Sequence, residues 1–157
     1  MNTLKDTPLS ELTLRRYEKP FNLSGRELIK KFCLSMGLLQ PGDSRDIIVD
    51  ILYVLLKARN DKKELSSEEI KDLVIEFRKS QNLVLLGVAS SNIRRQIKRL
   101  RDVFIAEKIK NNYRITEFTS ISEIFDEKTK KIVLPSVLDR VSEYAKKVDE
   151  EFHHETR

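Results

Sequence analysis

Ser90-Ser91-Asn92-Ile93-Arg94-Arg95-Gln96-Ile97-Lys98-Arg99-Leu100-Arg101 is the stretch on which the reading of this chain turns. Ile93, Ile97, Leu100 and Phe104 recur at spacings of four, three and four, the mark of one buried face of a helix. The helix is expected to run to Arg101 or Phe104, with Ser90 or Ser91 as its cap. On a 100° wheel Ser91, Arg95, Lys98 and Arg99 point away from the apolar face. Between Ser90 and Arg114 the chain carries eight cations, namely Arg94, Arg95, Lys98, Arg99, Arg101, Lys108, Lys110 and Arg114, against only Asp102 and Glu107. The formal net charge of all 157 residues is +5, so the remainder of the chain is close to neutral. A localised cationic patch is the electrostatic footprint expected of nucleic-acid binding, because clustered cations displace the counterions of the phosphate backbone.

Downstream, Ile105 to Lys110 and Tyr113 to Phe118 flank Asn111-Asn112, a pair that tolerates positive φ and predicts a two-residue hairpin turn. Upstream, Ser66 with Glu69 predicts a capping box opening a helix through Ile70, Leu73, Val74 and Phe77, and Glu64-Leu65 adds a very short strand. Ser80 to Ala89, with its apolar run Leu83 to Leu86, is expected to be a connection that packs on the core. A near-continuous apolar run from Ile47 to Leu56, capped by Asp43 or Ser44, predicts a helix buried on more than one side. Arg59 to Lys63 is read as a loop. Ser24 with Glu27 predicts another capping box, opening a helix whose stripe of Leu28, Ile29, Phe32, Cys33 and Met36 stops at Gly37. The first 22 residues read either as a short helix through Leu9 and Leu12 or as extended chain. Arg15, Arg16 and Lys19 form either a basic arm or a solvated terminus.

Charged residues make up 35% of the chain, with four Gly, four Pro and no Trp, a balance that suits a helix-rich domain. The one cysteine, Cys33, lies in an apolar helical stripe and is expected to be a buried, inert thiol. The sequence shows no signal-peptide pattern and no apolar run long enough to span a bilayer, so a soluble cytoplasmic protein that makes no use of a membrane is expected. His153 and His154 have no cysteine or carboxylate cluster at ligand spacing. Asp43, Asp46 and Asp50 fall at a helix start, where the helix dipole accounts for them. With no P-loop, no GxGxxG and no nucleophile elbow, neither enzyme chemistry nor a metal or other cofactor is expected.

The order from Ser44 to Phe118 resembles a winged helix-turn-helix domain of the MarR-like and TrmB-like archaeal and bacterial transcription regulators. Glu64 to Ile70 looks like the short strand leading into the positioning helix, Ser90 to Leu100 like a recognition helix, and Ile109 to Thr116 like a wing. The link Ser80 to Ala89 is longer than the tight turn usual between the two helices. The resemblance implies a mainly α fold with a small β-hairpin wing. Residues 1–43 would form an N-terminal arm and packing helix, 44–118 the DNA-binding domain and 119–157 a helical dimerisation extension. A helix fits the major groove, where arginine can bond guanine through O6 and N7. Ser91, Arg95 and Arg99 are the candidates for base edges, with Asn92 and Gln96 on the flank. Arg94, Lys98 and Arg101 are the candidates for phosphate. Lys108, Lys110 and Arg114, around the tip residues Asn111 and Asn112, would reach the backbone or the adjacent minor groove.

Leu134, Leu138, Val141, Ala145, Val148 and Phe152 follow a heptad spacing behind Pro135, which suits the first turn of a helix. This seam either pairs with a second copy of the chain or folds back on its own domain. A shorter helix around Ile121, Ile124 and Phe125 is expected to lead into it. The expectation is therefore a homodimeric, sequence-specific regulator on double-stranded DNA, its half-sites about one turn (~10 bp) or a small multiple apart. Two other functions stay open: a protein-interaction module of a larger assembly, and sequence-independent architectural DNA binding. Residues 23–56 are open to two readings, an apolar effector pocket or two packed core helices.

Overall fold

The computed structural model describes residues 6–153. Within them the chain divides into two compact units, Thr13–Ile124 and a second made of the segments before Thr13 and after Ile124. The first unit therefore takes in the helix upstream of residue 44 together with the segment 44–118.

The Thr13–Ile124 unit is built around its most apolar helix. In chain order it contains α1 (Gly25–Ser35), α2 (Ile47–Asn60), β1 (Leu65–Ser66), α3 (Ser67–Ser80), α4 (Ser90–Asp102), β2 (Ala106–Ile109), β3 (Asn112–Ile115) and the short α5 (Ile121–Ile124). Helix α2 touches α1, α3, α4 and β3. That encirclement is why Ile47, Ile48, Val49, Ile51, Leu52, Val54 and Leu55 are all buried, and the periodicity-free apolar run is its signature. The helix continues through Asn60, so the expected loop begins two residues later than its sequence suggested. The sheet is antiparallel in the order β1-β3-β2.

Helix ends follow local chemistry where both partners are close in sequence. At Ser66 the capping box is complete: the Glu69 amide donates to Ser66 Oγ at 3.1 Å, and the Ser66 amide to Glu69 Oε1 at 2.8 Å. Ser24 stands at the N-cap of α1 but accepts no cap bond. The next residue, Gly25, adopts a left-handed φ of +56°, which turns the first amides out of line with the Ser24 hydroxyl. Helix α2 begins at Ile47 behind Asp46, not behind Asp43 or Ser44. Asp43 is spent on Arg45, accepting from its amide at 2.9 Å and its Nε at 3.1 Å. Helix α4 begins behind Ala89, and Ser90 Oγ instead accepts from Lys71 Nζ at 3.2 Å. At the end of α1, Gly37 is needed twice over. Its φ of +71° closes the helix with bonds from Leu38 N to Cys33 O and from Gly37 N to Leu34 O, and a Cβ there would lie 2.6 Å from Thr13 Cβ.

Arg15 is neither a free arm nor a solvated terminus. Its guanidinium donates to the carbonyls of Leu34 and Leu39 at 2.8 and 3.1 Å and to Gln40 Oε1 at 2.9 Å, clasping the C-terminal end of α1. Cys33 is buried as expected, and burial pushes its thiol up to about 12 against the pull of Arg99 and Arg26.

Three helices meet over a buried ionic cluster that helix-dipole reasoning did not anticipate. Arg26 of α1 reaches Asp50 Oδ1 through Nε at 2.8 Å and Asp46 Oδ2 through Nη2 at 2.9 Å. Arg78 of α3 adds Nη1 bonds to both carboxylates, Asp46 and Asp50. Asp46 and Asp50 thus serve as the anionic half of a cross-link between α1, α2 and α3. Among the described residues no buried side-chain nitrogen or oxygen lacks a partner, which is the condition for such a cluster to be tolerated. Burial pushes the Asp46 carboxyl up, but Arg26 and then Arg78 outweigh it and hold the group below its usual range. A carboxyl with a depressed folded pKa contributes stability that is present above its unfolded value, about 3.9, and lost as pH falls through the folded one. The urea midpoint should therefore hold level from pH 7 to about pH 5 and fall below about pH 4. Asp46→Asn should remove part of that fall; an unaltered acid profile in the variant would contradict the depressed pKa.

The link between α3 and α4 departs from expectation. Leu83 is half-buried, but Val84 and Leu86 are 66% and 72% exposed, so the apolar run does not pack on the core. Arg78 explains the inversion: its Nε takes the Val84 carbonyl at 2.8 Å, fixing the backbone of the link inward and turning the side chains out. Phe104 also leaves the helical face. It lies beyond α4 with φ +67° and is 39% exposed, while Ile105 takes the inner position.

The second unit contains a π-helical stretch (Phe125–Val133) and α6 (Leu134–Glu151), with Pro135 in the first turn of α6 as expected. The seam positions Leu138, Val141, Ala145 and Val148 lie on α6 and are exposed, Leu134 is half-buried, and Phe152 is the residue just past the helix. Among the described residues no helix is long and apolar enough to cross a membrane.

Candidate nucleic-acid interface

Helix α4 is sharply two-sided. Ile93, Ile97 and Leu100 are fully buried, and α4 packs on α2, α3 and β2. Ser91, Arg94, Arg95, Lys98 and Arg101 are exposed on the opposite side, while Asn92, Gln96 and Arg99 lie half-buried along one flank.

That flank is a ladder of side-chain bonds. Asn92 Nδ2 donates to the Gly87 carbonyl at 2.7 Å, and Asn92 Oδ1 accepts from Arg95 Nη1 at 2.8 Å and Gln96 Nε2 at 3.2 Å. Gln96 Oε1 in turn accepts from Arg99 Nη1 at 2.9 Å. Each guanidinium is thus held by a bond to a neutral amide rather than to a carboxylate. Such holding lowers the ordering cost of a later contact. On the outer face Lys98 is the exception, its Nζ lying 3.0 Å from Asp102 Oδ1 one turn on.

The hairpin forms with its register displaced by one residue from the expected one. Ile109 pairs with Asn112, so the two turn residues are Lys110 and Asn111, and Asn112 opens β3. Asn112 is also opposite Ser66 of β1, which holds it in the sheet. Lys110 takes the left-handed conformation, φ +57°, and with Asn111 forms the exposed tip.

Arg114 is not available in the way its position in the sequence suggested. Its Nε lies 2.7 Å from Glu107 Oε2, its Nη1 3.8 Å from Glu64, and its guanidinium sits over the Phe118 ring at 4.8 Å. Lys108 Nζ lies over the Tyr113 ring at 5.9 Å with the side chain in solvent. The structure therefore brings Arg94, Arg95, Arg99, Arg101, Lys108 and Lys110 to accessible positions on α4 and the hairpin. Lys98 and Arg114 are ion-paired, and Asn112 is committed to the sheet.

Two cations were missed. Lys71 reaches the start of α4 from α3, and Arg45, almost fully exposed though ion-paired with Asp43, lines the same cleft as Arg95 and Arg99. Both arrive from other elements, so no local pattern marks them. His154 lies outside the described residues, and among the described residues no group of three or more His, Cys, Asp or Glu is gathered for a metal ion. Set against models of known protein families, curated proteins and solved structures, the chain finds no match.

Proposed function

We propose that this chain is a sequence-specific transcription regulator of winged helix-turn-helix type, binding double-stranded DNA as a homodimer through α4 and the β2–β3 hairpin. The observation that carries the reading is the face of α4: a cationic surface with one acidic residue, Asp102, opposite a wholly buried apolar one. A helix about 10–12 Å across with its side chains fits a major groove about 12 Å wide. The pairing of β1 with β3 supports it as well, because it ties the start of α3 to the hairpin that follows α4. In this reading Arg95 and Arg99 address base edges, Arg94 and Arg101 meet phosphate, and Lys108 and Lys110 extend the contact along the backbone. The exposed seam of α6 pairs with its copy and sets the spacing of two half-sites.

Selection of binding sites from a random duplex library by the purified protein tests this proposal; one enriched, pseudo-palindromic motif is expected. Arg95→Ala or Arg99→Ala should cost about 1–3 kcal/mol on the selected site and relax sequence preference, whereas Lys110→Ala should weaken all sequences about equally. Equal, sequence-independent losses at all three positions would mean architectural binding through the backbone alone.

One observation favours a protein partner instead. Val84, Leu85 and Leu86 form an exposed apolar ridge immediately before α4, and such ridges are more usual at protein contacts than beside phosphate. Failure to enrich any DNA motif, together with loss of DNA binding at moderate salt, would favour that reading.

A further inference from the structure

A cleft of about 560 Å³ opens beside α4, within the range of small-molecule sites. One wall is the ladder just described, with Asn92, Arg95, Gln96 and Arg99. The facing side is mixed: the exposed Val84 and Leu86 of the α3–α4 link, the edges of the buried Leu38, Leu39 and Ile47, and polar groups that include Gln40 and Arg45. Asp43 and Asp46 also line it, but Asp43 is neutralised by Arg45, and Asp46 by Arg26 and Arg78. Arg99 also lies near enough for Asp43 to feel its charge, so the cleft keeps a net positive charge centred on Arg95 and Arg99. Among the described residues no aromatic ring lines it, so a planar base has nothing there to stack on.

We propose that this cleft binds an aliphatic carboxylate, its head held by Arg95 and Arg99 and its hydrocarbon body against Val84 and Leu86. The apolar link left uncovered by the fold gains its partner in that tail, and the two guanidiniums gain a counter-ion. The ligand and DNA then compete for the same two arginines, so the bound carboxylate releases DNA. This last consequence rests on the DNA-binding reading; the binding site does not.

Calorimetric titration of the unmodified protein with decanoate, in the absence of DNA, tests the site. Saturable one-to-one binding is expected, with 1-decanol at least about tenfold weaker because it offers no charge to the guanidiniums. The double variant R95Q/R99Q should lose about tenfold or more, and Leu86→Ser several-fold, with the circular dichroism of both unchanged. Absence of saturable decanoate binding, or equal binding of decanol, overturns the site. Undiminished binding by R95Q/R99Q overturns the assigned head group contact. Saturating decanoate should then weaken DNA binding of the unmodified protein about tenfold and that of Leu86→Ser less. Decanoate binding with unchanged DNA affinity overturns the competition. Decanoate binding by a protein with no affinity for DNA overturns the DNA reading while upholding the cleft.

Discussion

Asp50→Ala should remove about 3–5 kcal/mol of folding stability, the cost of leaving buried charge without its partner. Asp50 is wholly buried and is gripped by Arg26 from one helix and Arg78 from another. Its removal leaves Arg78, itself buried, with Asp46 as its one carboxylate, and strips Arg26 of the carboxylate that takes its Nε. Neither guanidinium can shed its proton to escape the cost, since arginine stays charged in proteins. Because α1 and α3 are both fastened to α2 here, the loss should appear as an earlier midpoint in urea, read by circular dichroism at pH 7. Asp43→Ala, which breaks an exposed pair with Arg45, should move the midpoint far less under the same conditions. A loss at Asp50 no larger than that at Asp43 would show that water reaches the cluster.

Changing Leu138 and Val141 together to aspartate should convert a dimer into a folded monomer and cost about a hundredfold or more in affinity for a two-site operator. Both side chains are exposed on α6, so they are not part of an apolar interior that the change would breach. In a helix pair they would occupy the seam, where two added carboxylates per chain face two more from the partner in an apolar setting. Dissociation avoids that cost. Sedimentation should then give the monomer mass with helix content intact, and affinity for a single half-site should match that of one module of the parent. An unmodified protein that is monomeric at micromolar concentration would refute the pairing and remove the expectation of two half-sites.

Short-range chemistry was legible in the sequence, and long-range chemistry was not. Ser66 and Glu69 satisfy each other three residues apart, and the box formed; Ser24 and Glu27 carry the same spelling, but the left-handed Gly25 between them takes the amides elsewhere. The alternation around the hairpin was visible, yet its turn falls one residue early, because Asn112 is held in the sheet by Ser66, a residue far upstream. The buried face of α4 could be read from period alone, except at Phe104, where the helix has already ended. Nothing local in the sequence marks Arg26 and Arg78, since their carboxylate partners lie 20 to 32 residues away. That one cluster gives Asp46 and Asp50 a role beyond the helix dipole, and its Arg78 accounts for the outward-facing link before α4. Within the candidate interface, the cations were visible as a cluster, but Asp102, Glu107 and Glu64 had to be placed in space before Lys98 and Arg114 could be set aside.

On the DNA-binding reading, and with those two paired, Arg94, Arg101, Lys108 and Lys110 would be the phosphate contacts of each subunit. Titrating duplex binding against salt tests the DNA reading most directly. Each phosphate neutralised contributes about −0.9 to the slope of log K against log salt, so about four contacts per subunit predict a slope near −7 for the dimer. A flat salt response on duplex DNA would contradict the assignment.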